Sequence, residues 1–253
     1  MKILLVGGSG MVGTFLAPYL IKEGHELRVL DVNQPTAEGV EYHQGSISDP
    51  DAVRKALTGC DTFINLVMQG RQGGDDSYQT IELIQSNYEV NTLGLHLVLY
   101  IAQEMGIKHG LHTSTMTVHY RDRRWYWQEE FVPRDTPSVY GVTKALGEQI
   151  CEYFARWFDM NIIALRITVP RTREDYLAER RARPADFDGP KFVLDEEDLA
   201  AAYIAALRVV QVGHGRFDAV FLSGDELEQH HNQTKARQLL GWEPQSQQYV
   251  TRG

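Results

Sequence analysis

Short apolar runs alternate with amphipathic segments along the chain. Residues 2–6 form an apolar run of the kind that builds a strand buried on both faces. Apolar positions at helical spacing follow over 14–23, and residues 26–30 resume as a second strand that ends in Asp31. This order predicts a strand, a turn, a helix and a strand at the start of the chain.

The same alternation continues beyond this first unit. Further strands are predicted at 40–44 and 61–67, with a helix at 50–57 between them. The first residue of this helix is a proline, which is tolerated at a first helical position. Another strand ends at 110–114. Strands that alternate with helices predict an α/β fold, a Rossmann-type doubly wound parallel sheet whose ligands bind beyond the carboxyl ends of the strands.

A long helix is expected within 77–105, after a glycine-rich loop. Leu93, Leu97 and Ile101 make its apolar stripe, and Asn91 interrupts the buried side. A chain of 253 residues with 43% hydrophobic content can bury one sizeable core. We therefore expect a single Rossmann-type domain over 1–253, to which residues 169–253 contribute a small substrate-side lobe.

Charge and cysteine usage exclude several classes of protein. The net charge of −9 argues against a nucleic-acid partner, because a phosphate-binding surface needs a basic excess. No apolar run has the length of a membrane span, and the first apolar run is too short for a signal peptide. Cys60 and Cys151 lack metal-type spacing and suit a reducing compartment as buried thiols. A cytoplasmic protein is expected.

The turn after the first strand has the spacing Gly7-x-x-Gly10-x-x-Gly13. Glycines allow a tight turn and a close approach of the backbone to a pyrophosphate, while the N-terminus of the following helix offers free N–H groups. Met11 and Val12, within this turn, are further expected coenzyme contacts. The context, between a strand and a helix, is the one that a dinucleotide site requires.

The acidic residue of this unit is Asp31, eighteen positions after Gly13 at the end of the second strand. Its carboxylate can accept hydrogen bonds from both ribose hydroxyls and would repel a 2′-phosphate. The sequence therefore predicts NAD, rather than NADP, as the cofactor.

A second chemical signal is the spacing of Tyr140 and Lys144. Thr136 and Pro137 are typical of an N-cap and a first helical position, which places both residues on one helix, one turn apart. A nearby fixed cation would stabilise a phenolate and lower the tyrosine pKa from its ordinary value of about 10. The alternative is an exposed amphipathic turn that matches by chance.

These motifs together carry a family resemblance. The glycine turn, Asp31, the strand end at 113–115 and the Tyr140-x-x-x-Lys144 pair resemble, in order and spacing, the extended short-chain dehydrogenases/reductases of the NAD-dependent epimerase/dehydratase family. The resemblance extends to four further segments: 91–94, 165–168, 192–199 and 235–244.

The resemblance implies a role for each residue of the site. Tyr140 would be the general acid/base, and Lys144 would lower its pKa and bind the nicotinamide ribose. A strand-end hydroxyl would orient the substrate oxygen, with Thr115 favoured and Ser114 as its rival. Asn91 would hold the active-site helix and a relay water, or serve only as a buried amide that satisfies the backbone.

The chain also departs from the family pattern. Ser46 stands where many members have an aspartate near the adenine, so a hydroxyl replaces the usual carboxylate, and His119 replaces a common tyrosine in the wall of the substrate site. The remaining coenzyme contacts that the resemblance implies are Ile47, Leu66 and Val67.

The substrate side of the chain is short. Only 169–191 separates the late strand from the next helix, which leaves little room for a second nucleotide and resembles the compact uronate dehydrogenases. Arg171 or Arg173 would then bind a sugar carboxylate, because a planar guanidinium pairs well with it. The other arginines of this stretch are expected at the surface: Arg180, Arg181 and Arg183.

Two other stretches invite alternative interpretations. The segment 119–133 interleaves aromatic and basic residues, as nucleic-acid sites do, but its position favours a loop that covers the substrate. A metal site at His230 and His231 is rejected, because no further ligands stand at a familiar spacing.

The resulting hypothesis is an NAD-dependent oxidoreductase that acts on the hydroxyl of a sugar or sugar acid. The alternatives are an epimerase or dehydratase that retains its NAD, and a non-catalytic NAD(H)-sensing regulator. The family resemblance implies a homodimer through the helices that carry Asn91 and Tyr140. Four aromatic residues are either its surface or core: Tyr153, Phe154, Trp157 and Phe158.

Overall fold

A seven-stranded parallel sheet forms the centre of the protein. The computed structural model describes residues 1–70, 77–120, 123–182 and 193–246. The strand order is β3-β2-β1-β4-β5-β6-β9, and every neighbouring pair is parallel. The sheet strands are β1 (Lys2–Val6), β2 (Glu26–Asp31), β3 (Val40–Gln44), β4 (Thr62–Asn65), β5 (His109–Thr115), β6 (Asn161–Ile167) and β9 (Phe217–Leu222).

Helices cover both faces of the sheet. On one face α1 and α7 bury an apolar layer, and on the other face α2, α4 and α5 bury a second one. The helices are α1 (Met11–Lys22), α2 (Pro50–Leu57), α3 (Ile81–Asn87), α4 (Leu95–Glu104), α5 (Val139–Phe158), α6 (Arg173–Ala182) and α7 (Glu196–Val212). The predicted Rossmann-type, doubly wound fold is therefore confirmed.

The strand order reverses between β1 and β4. After β1 the chain moves outward through β2 and β3, and it then returns to add β4 on the other side of β1. In sheets of this kind the crevice at the carboxyl ends of these two strands is the usual ligand site. Both the glycine turn and the residues that follow β4 border this crevice.

A small second sheet stands beside the main one. It pairs β7 (Val169–Arg171) with β8 (Val193–Asp195), and α6 lies between them in the chain. Residues 183–192 lie outside the described residues, and with them Arg183 and the predicted helix entry at Phe192.

The helix expected within 77–105 differs from its prediction. It begins at Ile81, with Thr80 as its cap, and a π-helical stretch over Tyr88–Gly94 interrupts it. Because a π turn contains extra residues, the phase of the helix shifts after it. Leu93 is consequently 52% exposed, whereas Leu95 and Leu99 are buried, so the predicted apolar stripe was wrong at Leu93.

The start of α5 also differs from its prediction. The helix begins at Val139 rather than at Pro137, and Ser138 is the extended N-cap residue. Thr136 instead accepts a hydrogen bond from the Ser138 N–H through its hydroxyl, at 3.1 Å. This turn brings Thr136 against Gly141, where an added Cβ would lie 2.5 Å from the Thr136 hydroxyl oxygen. Tyr140 still lies in the first helical turn.

Several local predictions are confirmed. Strand β3 and helix α2 have the predicted bounds, and Asp49 caps α2 by accepting from Asp51 N and Ala52 N. Both cysteines are buried free thiols. Within the described ranges, no helix combines the length and the apolar character that crossing a bilayer would need.

Candidate active site

The three glycines of the turn after β1 differ in how closely neighbouring atoms pack against them. Gly7 has a φ of +81°, and a Cβ added there would lie 2.8 Å from the Val67 backbone nitrogen. A Cβ on Gly13 would lie 2.2 Å from the Gly8 carbonyl oxygen, so both positions need glycine for close packing. A Cβ on Gly10 would meet only the Gly7 carbonyl oxygen, at 3.4 Å. Gly10 is the N-cap residue of α1, and the space at this position fits a pyrophosphate cradle.

Asp31 ends β2 directly beside this turn. Its carboxylate accepts a hydrogen bond from the Ser9 N–H at 3.0 Å and from the Asn33 N–H at 2.9 Å, one to each oxygen. Each oxygen keeps a lone pair, because a carboxylate accepts about four hydrogen bonds. The carboxylate is thus held in place with capacity left for two ribose hydroxyls, which fits NAD.

The remaining predicted coenzyme contacts differ in exposure. Met11 is exposed at the start of α1, whereas Leu66 is buried after β4. Ile47 is also buried and packs against Gly94, where a Cβ would lie 2.6 Å from it. Ser46 accepts the Ser48 N–H through its hydroxyl at 3.1 Å. The Ile47 side chain therefore serves packing, and the Ser46 hydroxyl is partly used by its own loop.

Tyr140 and Thr115 form the centre of the site. The Thr115 hydroxyl at the end of β5 lies beside the Tyr140 phenol in the first turn of α5, and it also donates to the Thr117 hydroxyl at 3.1 Å. Burial raises the pKa of Tyr140 to about 12, and the nearby Thr115 hydroxyl lowers it only in part. The shift is opposite to the lowering by Lys144 that the spacing predicts. The desolvation of the phenolate is the larger effect in this structure.

Lys144 is almost fully buried, with 1% of its surface exposed. Its Nζ donates to the Val67 carbonyl oxygen at 3.4 Å, which places the ammonium beside the exit of β4 and near the glycine turn. Burial lowers the pKa of Lys144 to about 8, while Cys151 and Glu148 act in the opposite direction. The ammonium is therefore close to its titration range at neutral pH.

Thr115 and Ser114 point to different partners, because neighbouring residues of a strand face opposite sides of the sheet. The Ser114 hydroxyl donates to the Glu148 carboxylate at 2.6 Å and is buried. Thr115, by contrast, contacts the phenol of Tyr140. The geometry thus favours Thr115 over Ser114 as the hydroxyl that acts with the tyrosine.

Asn91 lies in the π-helical stretch and is satisfied by protein atoms. Its amide group donates to the Gln69 carbonyl at 2.9 Å and its oxygen accepts the Gln69 N–H at 2.8 Å. The amide nitrogen also lies 3.0 Å from the Asn87 side-chain oxygen and 3.0 Å from the Thr143 hydroxyl. Asn91 therefore connects the chain after β4 to α5, next to Lys144.

The two arginines predicted to bind substrate are paired within the chain. Arg171 donates to Glu179 at 2.6 Å. Arg173 forms ion pairs with Asp195, at 2.8 Å, and with Glu197. In this conformation neither guanidinium presents an unpaired face to a substrate carboxylate.

Sequence reasoning missed a buried polar cluster behind the site. Glu148, one turn after Lys144, receives hydrogen bonds from Arg166, which also contacts His119 at 3.2 Å. The four-residue step from Lys144 to Glu148 was the available signal, because it repeats the step from Tyr140 to Lys144. Tyr203 was also missed; its phenol lies 2.5 Å from the Thr113 hydroxyl, on the same face of β5 as Thr115.

The aromatic segment and the histidine pair lie together. Tyr126 is buried and stacks on His231 with ring centroids 4.9 Å apart, whereas Trp127 is exposed. The backbone N–H of His231 donates to Asp225 at 2.9 Å. Residues 121–122 lie outside the described part of the chain. Among the residues that the structure describes, no group of three metal-ligating side chains converges.

Comparison with known proteins adds a family match. Residues 3–174 match the model of the NAD dependent epimerase/dehydratase family. A 2-alkyl-3-oxoalkanoate reductase of Stenotrophomonas maltophilia is 31% identical over 157 residues, covering 59% of this chain and 45% of that protein. A UDP-glucose 4-epimerase of Neisseria meningitidis serogroup B is 26% identical over 166 residues, covering 59% of this chain and 47% of that protein.

Solved structures share the fold over almost the whole chain. A mutated uronate dehydrogenase superimposes with a TM-score of 0.78 at 22% identity, covering 99% of this chain and 84% of that one. The two curated relatives are longer proteins, and the chain spans less than half of their length. Because the sequence identity is only 22%, the match to the uronate dehydrogenase structure shows the fold alone.

Proposed function

Because the chain belongs to the NAD-dependent epimerase/dehydratase family, we propose that it is an NAD-dependent oxidoreductase acting on a hydroxyl of a sugar or sugar acid. The observation that carries this proposal is the placement of the Thr115 hydroxyl beside the Tyr140 phenol, with Lys144 one helical turn further on. Both hydroxyls lie at the carboxyl edge of the sheet, the edge at which the glycine turn binds its ligand.

The residues around the crevice fit NAD. The turn Gly7–Gly13 would hold the pyrophosphate, Asp31 the adenosine ribose, and Lys144 the nicotinamide ribose. When bound, NAD supplies the acceptor for a hydride. The fit rests on the open side of Gly10 and on the unused lone pairs of Asp31.

The protein's own part in the reaction is the movement of one proton. Thr115 orients the substrate oxygen by a hydrogen bond, and Tyr140 exchanges a proton with that oxygen at its phenolic oxygen. With a pKa of about 12, the phenol keeps its proton at neutral pH, so it is set to donate to a carbonyl oxygen. To accept a proton from an alcohol, it needs further positive charge nearby, which the Lys144 ammonium supplies once that side chain turns toward it.

The proposed substrate class is a uronate-like sugar acid without a nucleotide. The short stretch between β6 and α7 supports it, because little chain is left to enclose a second nucleotide. Arg171 is the arginine that a substrate carboxylate reaches by exchange with Glu179, since both partners of that pair are partly exposed. Arg173 is held more firmly by the fully buried Asp195.

The test is a turnover assay with NAD and a panel of uronates and aldoses, followed by NADH absorbance. Wild-type protein should form NADH with at least one uronate. Tyr140→Phe should lower kcat by about three orders of magnitude or more, because it removes the only atom that exchanges the proton. Its affinity for NADH, measured by fluorescence titration, should stay within about twofold. Equal activity of the variant would rule out the proposed role.

A second candidate is an epimerase that retains its NAD and returns the hydride. The sequence similarity to the UDP-glucose 4-epimerase favours it. The same assay separates the candidates, since an epimerase isomerises its sugar without net NADH. NAD binding without any turnover would instead indicate an NAD(H)-sensing regulator.

We also propose a homodimer. An apolar groove between α4 and α5 is lined by Thr92, His96, Leu146, Gln149, Ile150 and Tyr153. Phe154 belongs to the core, so of the four aromatic residues named from the sequence it is Tyr153 and Trp157 that are available for a second copy.

A further inference from the structure

Glu148 is a fully buried carboxylate one helical turn beyond Lys144 on α5. It accepts the Ser114 hydroxyl at 2.6 Å, next to Thr115 at the end of β5. It also forms a two-pronged ion pair with Arg166 of β6, at 2.8 and 2.7 Å. One carboxylate thus connects the helix that carries Tyr140 to the two strands beneath it.

Arg166 extends this connection to the substrate side. Its guanidinium lies 3.2 Å from the His119 Nε2 atom and donates to the Glu129 carbonyl oxygen at 3.5 Å. Both partners lie near or in the segment 123–135, which leads into α5. The guanidinium also stands over the Phe221 ring of β9, 5.6 Å from its centroid.

His119 is suited to receive the guanidinium. Its Nδ1 donates to the Pro133 carbonyl oxygen at 2.7 Å, so its Nε2 carries no proton and can accept from Arg166. Burial, together with Arg166, lowers the pKa of His119 to about 4, which keeps the ring neutral. On the other side, the Glu129 carboxyl accepts the Phe221 N–H at 2.6 Å. The segment 123–135 is therefore fixed to β6 and β9 from behind.

A buried ion pair of this kind adds little net stability, because the cost of desolvating two charges offsets their attraction, but it favours one arrangement over others. We propose that Glu148 is a positioning residue of the reaction proposed above: through Ser114 and Arg166, it fixes the Thr115 end of β5 and the segment 123–135 relative to Tyr140. This inference rests on the proposed function, and it assigns Glu148 no contact with the substrate.

The carboxylate also acts on Lys144. The titratable groups that face this ammonium are Glu148 and Cys151 on α5 and His112 on β5, and of these only Glu148 is charged near neutral pH. Glu148 raises the pKa of Lys144 against the effect of burial. Loss of its charge should therefore deprotonate Lys144 at lower pH and move the alkaline limb of the activity profile in the same direction.

Glu148 has a second cationic partner in Arg134 of the segment 123–135, whose Nη1 lies 3.4 Å from its carboxylate at a partly exposed position. The decisive variant replaces the two fully buried partners, Glu148→Met with Arg166→Met. Glu148→Gln alone leaves the buried guanidinium without a compensating negative charge and risks unfolding, whereas two apolar side chains of similar length fill the same space without any buried charge. The double variant should unfold at a temperature near that of the wild type and bind NADH within about twofold. Its kcat should fall roughly tenfold or more, because small displacements of reacting groups are costly, and its alkaline limb should shift to lower pH.

The matched control is Glu152→Met, the same replacement as at Glu148 but one turn further along α5, at an exposed residue. It should leave kcat and the pH profile as in the wild type. A folded double variant with wild-type kcat and an unshifted pH profile would overturn the proposal.

A second measurement needs no substrate. Amide hydrogen exchange in the segment 123–135 should become roughly tenfold faster in the double variant, while residues 2–22 keep their protection, because the segment loses its attachment to β6. Unchanged exchange in this segment overturns the positioning role. Absence of turnover in the wild type, together with faster exchange in the variant, would instead count against the proposed function alone.

Discussion

The Tyr140 phenol shows how burial and a neighbouring charge compete at one residue. The lysine one turn away would lower the pKa of the phenol, but its Nζ is engaged with the Val67 carbonyl, and burial raises that pKa to about 12. The Thr115 hydroxyl is the group that lowers it. Thr115 therefore lowers the pKa of the phenol, and in the proposed reaction it also orients the substrate.

Replacement of this hydroxyl tests its role. Thr115→Ala should lower kcat by about 100-fold, the usual effect of removing one hydrogen-bond donor from a reacting oxygen. Thr115→Ser keeps the hydroxyl and should retain kcat within about tenfold. Steady-state kinetics of the three proteins measures this. A larger loss from Ser114→Ala than from Thr115→Ala would contradict the assignment.

Glu129 predicts a pH dependence of stability. Burial raises the pKa of its carboxyl to about 7, whereas the unfolded chain loses this proton near the ordinary value of 4.5. Between these two values the folded protein binds more protons, so the free energy of unfolding decreases as pH rises. Glu129→Gln removes this decrease. The change in the free energy of unfolding that the substitution causes should therefore be more favourable at pH 8 than at pH 5, by on the order of 2 kcal/mol.

Urea unfolding at pH 5, 6, 7 and 8 measures this difference. The control is Glu130→Gln. Burial raises the pKa of Glu130, but its hydrogen bond to Lys235 outweighs that effect and the net pKa is lowered. In this variant the free energy of unfolding should therefore still decrease as pH rises, because Glu129 is unchanged. A Glu129→Gln protein with the same pH dependence as the wild type would show that the carboxyl is ionised in the folded state.

At the scale of elements, the glycines of the turn between β1 and α1 have different roles, one in packing and another in the proposed binding of NAD. A Cβ on Gly13 would overlap the backbone of Gly8, whereas Gly10 has a φ of −77° and its Cβ would make only a van der Waals contact with the Gly7 carbonyl oxygen, at 3.4 Å. Gly10→Ala should leave the free energy of unfolding within about 1 kcal/mol. It should weaken NAD binding at least tenfold, because the methyl group occupies the space a pyrophosphate needs.

Isothermal titration with NAD and thermal unfolding together test this turn. Gly13→Ala is the comparison, because its Cβ would lie 2.2 Å from a carbonyl oxygen and should destabilise the fold itself. Unchanged NAD affinity in Gly10→Ala would place the pyrophosphate elsewhere.

The helix that carries Asn91 shows what periodicity alone misses. A π-helical stretch points Asn91 at Gln69 and Thr143, and it turns Leu93 to solvent. No single residue of this stretch predicts the π-helical turn, because the turn is stabilised by hydrogen bonds to residues far away in the chain. The helix was predicted and its phase was not.

At the scale of the whole molecule, the family resemblance and the NAD cofactor inferred from the sequence are confirmed by the family match. The assembly stays a prediction. Leu146, Ile150, Tyr153 and Trp157 follow one face of α5 at helical spacing, and Trp157 is 68% exposed. An apolar face of this kind is typical of a self-association surface.

Tyr153→Arg should convert the proposed dimer to a monomer, because it places a charge in the apolar groove. Light scattering after size exclusion measures the mass at micromolar concentration. Val212→Arg, at a highly exposed apolar residue at the end of α7, is the control and should leave the mass unchanged. A wild-type protein of monomer mass would refute the dimer.

The sequence by itself determined the parts of this protein that depend on neighbours in the chain. The alternating apolar runs predicted the parallel sheet, and the glycine spacing predicted the turn. The four-residue step predicted that Tyr140 and Lys144 lie on one helix. Each of these follows from local geometry, which repeats with a fixed period.

Only the tertiary structure decided which of these groups interact. Burial reversed the expected shift of the Tyr140 pKa. Strand alternation placed Thr115 beside the phenol and Ser114 beside Glu148. The two arginines predicted to bind substrate, Arg171 and Arg173, form ion pairs with acidic side chains of the chain itself. These outcomes depend on desolvation and on partners distant in the chain, and neither is encoded in local spacing.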